Sequence, residues 1–175
     1  MISLICTIIS MVLFIGFNII CLSKYGLLSC YSAYGPKWAE WEKQHPQMKG
    51  LNIWSLVTVL TAVFLIIPML TTGVGSPLQF LCFFAPLYLF LVAFTPHYNT
   101  DKKQNIVHQI GAWTCVVLIF IWLIAVVHKW IVLLPVLILM IIIGLGTGTL
   151  KRSITYYLEM MMFLSTYIVL ISMFI

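Results

Sequence analysis

The chain has 175 residues, 63% of them hydrophobic and 7% charged; a water-soluble domain carries about 25% charged residues, so a soluble fold of this size is excluded and the composition is that of a membrane protein. Its formal charge is +5, from nine Lys and Arg against four Asp and Glu. The basic residues flank apolar runs, where they fix orientation in a bilayer, and so do not point to nucleic acid.

A membrane-crossing helix needs about 20 predominantly apolar residues. Six stretches satisfy this, at about 1–22, 51–70, 78–94, 106–127, 131–148 and 154–175. The expected fold is therefore all-α, one six-helix transmembrane domain over residues 1–175. The first stretch reads as a span and not as a signal peptide. It lacks a basic leading region, exceeds the usual ~7–15 apolar residues, and is followed by no small-residue cleavage site.

Residues 24–50 form the longest polar joint and predict a short interfacial helix. Pro36 suits a first helical turn, Trp38 and Trp41 share one face at headgroup level, and Pro46 ends the helix. Residues 71–77 (TTGVGSP) are a Gly/Pro turn. His128, Lys129 and Trp130 make a very short turn, and residues 147–153 (TGTLKRS) close one span and open the next. Pro68, Pro86 and Pro135 fall within or near the ends of spans and can kink them. Gly144, Gly146 and Gly148 favour close packing or a flexible end.

The joints after the first, third and fifth spans hold eight basic residues: Lys24, Lys37, Lys43, Lys49, Lys102, Lys103, Lys151 and Arg152. The opposite side holds only Lys129. The positive-inside rule then places these joints in the cytoplasm and both termini outside it, in a multi-pass protein of the cell membrane. The five cysteines (Cys6, Cys21, Cys30, Cys82, Cys115) contain no C-x-x-C pair and read as packing residues.

Polar groups at membrane depth cost free energy unless paired, so they are the candidates for function. Asn52, Ser55, His97, Asp101, His108, Tyr156 and Glu159 all fall toward the cytoplasmic ends of their spans, where a compact bundle would gather them into one ligand-binding pocket. Glu159, the acid within a predicted span, lies roughly 8 Å into its helix at about 1.5 Å per residue, where a charge costs about 2–3 kcal/mol on insertion scales. His108, Lys151 and Arg152 are within reach as partners. Asp101 suits the start of the fourth span, at the positive end of its dipole. His97, Asp101 and His108 lack the close spacing of a metal site, and no cofactor motif is present. Ser55 with a histidine would be needed for nucleophilic catalysis, but no G-x-S-x-G marks it, so no catalytic residue is assigned.

Pro96, Asp101, His108, Gly111 and Ala112, in FTPHYNTD followed by VHQIGA, resemble a pattern in uncharacterised six-span bacterial integral membrane proteins, as does the run LLSCYSAYG at residues 27–35. The resemblance implies a six-span fold with a hinge between spans three and four, and no particular reaction. A fainter likeness is to membrane hydrolases using Ser, Asp and several His; the chain lacks their late His-x-x-x-His and has one span too few.

These readings lead to a non-enzymatic protein that binds a lipid or small amphiphile, or a membrane partner or second copy, through the cytoplasm-facing pocket. The alternatives are a small transporter or ion/proton path using Glu159 and His108, and a membrane-embedded hydrolase.

Overall fold

A computed structural model describes residues 1–45 and 52–175. The described residues are helical, with no strands. The helices are α1 (Ile2–Tyr25), α2 (Tyr34–Lys43), α3 (Ile53–Thr72), α4 (Gln79–Ala93), α5 (Lys102–Ile121), α6 (Leu133–Gly146) and α7 (Ile154–Phe174). Single 3-10 turns at Tyr31–Ala33 and Trp130–Val132 precede α2 and α6, and α5 runs on into a π-helical turn, Trp122–Val126.

Among the described residues, four helical stretches are long and apolar enough to cross a membrane: Ile2–Tyr25, Ile53–Thr72, Lys102–Val126 and Ile154–Phe174. The third and fifth stretches expected from sequence form shorter apolar helices, Gln79–Ala93 and Trp130–Gly146. With 15 residues, α4 rises only about 22 Å, against a hydrocarbon core of roughly 30 Å.

Local chemistry sets the boundaries. Asn52 caps α3, its side-chain oxygen accepting from the Ser55 N–H at 3.0 Å. Asp101 caps α5 by accepting from Lys103 N–H at 2.8 Å and Gln104 N–H at 3.2 Å. The cap starts α5 four residues earlier than position 106, because the polar run Lys102–Asn105 already forms its first turn. At the end of α6, Gly148 takes a left-handed φ of 67°, and Thr149 N–H and Gly148 N–H bond back to Gly144 O and Leu145 O. This is the pattern that stops a helix at a glycine. Pro135 falls in the first turn of α6, where no backbone donor is lost. The second span's expected start at Leu51, the Pro46 stop and Lys49 lie outside the described residues.

Helix α1 packs on α3, α3 on α4, and α4 on α5; α7 joins the bundle against α1 and carries α6 on its other side. Phe14, Trp54, Leu65, Met69, Trp122 and Tyr167 fill the interior. The ends of α1, α4 and α6 and the starts of α3, α5 and α7 meet at one end of the bundle, together with most of the lysines; we call this the basic end. There α2 is packed against α1. Trp38 is buried, stacks on Phe17 at 5.5 Å and donates from Nε1 to Cys21 Sγ at 3.2 Å. Lys24 Nζ covers the rings of Trp38 and Trp41 at 4.1 and 3.9 Å. The helix is thus fastened to α1 by cation–π and ring contacts.

Candidate ligand-binding cleft

Helices α5 and α7 both line one cleft but touch little. The gap between them, about 230 Å³, reaches the basic end and is lined by Cys30, Ser32, Tyr98, His108, Trp113 and Glu159, among others. Trp113 and Leu158 flank it and are 67% and 45% exposed on the flanks of two helices of membrane-crossing length. Deeper in, an inner chamber of about 50 Å³ lies among Phe14, Leu89, Cys115, Ile119 and Phe163. Ser32, Ala112, Val116, Glu159 and Met162 border both spaces.

The polar groups are few, and most are held. Glu159 Oε2 accepts the Tyr31 N–H at 2.5 Å, so its partner is a backbone donor and not Lys151, Arg152 or His108. The same segment is tied to α7 a second time, Tyr156 N–H donating to Ser29 O at 3.0 Å. His108, 2% exposed, stacks on Tyr98 with centroids 3.9 Å apart and planes at 15°. Its Nδ1 meets Thr95 Oγ1 at 3.0 Å. Thr95 Oγ1 also lies 2.8 Å from Leu91 O and 3.0 Å from Val92 O, either of which accepts its hydroxyl. Tyr98 OH lies 3.9 Å from Cys30 Sγ. Burial pushes the Tyr98 phenol above its usual range, with Cys30 adding to the shift.

Of the seven residues singled out from sequence, the cleft gathers His108 and Glu159. Asn52 and Asp101 are helix caps. Ser55 Oγ donates to Ala93 O at 2.5 Å, fastening α3 to the end of α4. His97 N–H donates to Gln104 Oε1 at 3.1 Å, bracing the α4–α5 link. Tyr156 OH donates to Asn18 Oδ1 at 3.0 Å on the side facing α1. Cys30, Ser32, Tyr98 and Trp113 line the cleft without having been singled out. For Cys30 and Ser32 the sequence signal is the polar cluster SCYS at residues 29–32, just beyond an apolar run. Among the described residues no three His, Cys, Asp or Glu converge as a metal site would require.

Compared with known protein families, curated proteins and solved structures, the chain matches none.

Proposed function

We propose that this chain is a multi-pass protein of the cell membrane that binds a lipid or small amphiphile in the α5–α7 cleft. The observation that carries the reading is the cleft's polarity and place. Its walls are mostly carbon, its few hydrogen-bonding groups converge at one end, and it lies between two helices each long enough to span a bilayer. Small-molecule sites combine apolar walls with a few placed polar groups in this way. In our reading α4 and α6 also cross the membrane as short spans, tilted neighbours and local thinning accommodating their length. The eight-to-one split of basic residues then puts the basic end in the cytoplasm and both termini outside.

Native mass spectrometry in mild detergent, after exposure to a total lipid extract, tests the reading. A discrete added mass on the parent protein that is lost from His108→Ala, with Glu159→Gln as a second variant, is the expected result. No discrete mass, or one that both variants keep, would overturn it and turn attention to protein partners.

A transporter or ion/proton path is the second reading, favoured by one observation. Beyond the chamber, Ser10 Oγ donates to Thr61 O at 2.9 Å and meets Tyr167 OH at 3.0 Å, continuing the polar groups past Glu159 into the interior. Ion or proton flux in reconstituted vesicles, abolished by Tyr167→Phe, would favour it over binding alone. The hydrolase reading draws no comparable support: Ser55 and His108 are each bonded to other groups.

A further inference from the structure

Tyr98 has a second open face. On it lies a polar recess of about 350 Å³, lined by Ser29, Lys37, Glu40, Asn99 and Arg152 as well as Tyr98. Tyr98 therefore borders both this recess and the α5–α7 cleft, and chain neighbours Ser29 and Cys30 line one each. Lys37 is held by Glu40 at 3.6 Å, whereas Arg152 makes no ion pair among the described residues. The recess thus offers one uncompensated guanidinium beside the neutral hydrogen-bonding groups of Ser29 and Asn99. A planar guanidinium matches phosphate oxygens with two parallel hydrogen bonds. From this recess the cleft follows α5 from His108 to Val116, about 12 Å at roughly 1.5 Å per residue.

We propose that recess and cleft form one seat for an anionic phospholipid. Its phosphate sits against Arg152, Ser29 and Asn99, and an acyl chain passes over Tyr98 into the cleft. This deepens, and rests on, the amphiphile reading above. The competing explanation is general attraction of the basic end for anionic lipid, in which every nearby lysine contributes alike. Lys102 and Lys103 are at the same end but line neither space, and so separate the two.

The test is native mass spectrometry of the full chain titrated with phosphatidylglycerol and with phosphatidylcholine of identical acyl chains. The parent should retain one phosphatidylglycerol under activation that strips phosphatidylcholine. Arg152→Gln should lower its occupancy about tenfold, the order expected for one charge-assisted contact, and Arg152→Lys should recover only part. Lys103→Gln should leave it unchanged. Arg152 is solvent-exposed, and unchanged melting of each variant establishes that folding is kept. Equal retention of both lipids would overturn the anionic seat while leaving the amphiphile reading intact. Equal loss in Lys103→Gln would overturn it in favour of surface charge, and displacement by millimolar inorganic phosphate would reduce the recess to a simple anion site. No adduct of either lipid on the parent would mean that the amphiphile reading itself fails.

Discussion

Gly111 allows the closest helix approach behind the cleft, and replacing it with alanine tests that packing directly. A Cβ at this position would lie 2.8 Å from Leu91 Cβ, 3.0 Å from Tyr88 O and 3.2 Å from Val92 N. Two of those atoms are backbone, so relief requires α5 to move off α4, as expected where a small residue permits close contact between membrane helices. Overpacking of this kind costs about 1–3 kcal/mol, and the gain in helix propensity from Gly to Ala returns about 1 kcal/mol. With backbone on the other side, the upper part of that range applies, leaving a net loss of about 2 kcal/mol. Gly16, in the interior of α1, is the internal control, because nothing lies within 4 Å of the Cβ it would gain. Gly16→Ala should be neutral or stabilising by up to about 1 kcal/mol. Reversible denaturation in mixed micelles reads both variants against the parent. Should Gly111→Ala prove as stable as Gly16→Ala, the close α4–α5 contact is wrong. Ala112 follows directly and lines the cleft, so the displaced helix should also weaken any lipid adduct.

Asp101→Ala should cost about 1 kcal/mol through loss of the α5 cap, with Asp101→Asn close to the parent; equal effects of Ala and Asn on thermal melting would remove the capping role. Glu42 accepts the Ile53 N–H at 2.7 Å, and burial lifts its carboxyl above the usual 4.5 despite that bond. A raised folded-state value means that its contribution is fully present below pH 4.5 and lost as pH rises through the raised value. Stability of the parent relative to Glu42→Gln should therefore fall from pH 4 toward neutrality; a rise would contradict the burial argument. Cys30 is half-buried while the other four cysteines are buried, so a membrane-impermeant thiol reagent should add once, and only after cells are opened. Labelling in intact cells would invert the orientation. Glu159→Gln keeps an acceptor for the Tyr31 N–H and should fold nearly as well as the parent. Glu159→Ala leaves that donor unpaired and should lose about 1–3 kcal/mol; equal losses would show that charge, and not the acceptor, matters.

What could be read from the residues was whatever local chemistry determines. Asp101 before Lys-Lys-Gln-Asn signals a helix start, Gly148 a helix stop, and Glu159 stands out as an acid within an apolar run. Its partner did not show, because a backbone N–H 128 positions away in sequence carries no residue signature. Trp38 and Trp41 share a helical face, and nothing in their spacing reveals that Lys24 lies over both rings. Tyr98, Cys30 and Ser32 sit on irregular backbone or a single 3-10 turn, where periodicity gives no face to read. Conversely, Asn52, Ser55 and Asp101 attract notice as polar residues near apolar runs, although caps and inter-helix bonds engage them fully.

The half-buried acid Glu159 and the cleft have one structural origin. The chain leaving α1 does not pass over the bundle; its 3-10 turn tucks Tyr31 inward, against Phe14 at 5.0 Å and Trp54 at 6.1 Å. Strapped to α7 through Glu159 and through Ser29 O, this segment contributes Cys30 and Ser32 to the wall of the cleft between α5 and α7. Non-helical backbone tucked inward has donors that need partners, and it persists only where the protein supplies acceptors. Glu159 is such an acceptor, which accounts for a carboxylate within an apolar helix before any ligand is invoked. Removing that acceptor, as in Glu159→Ala, therefore perturbs the strap and the cleft together. His108 is braced by Thr95 and Tyr98 and makes no bond to that segment itself, so its variant is the cleaner probe of what the cleft holds.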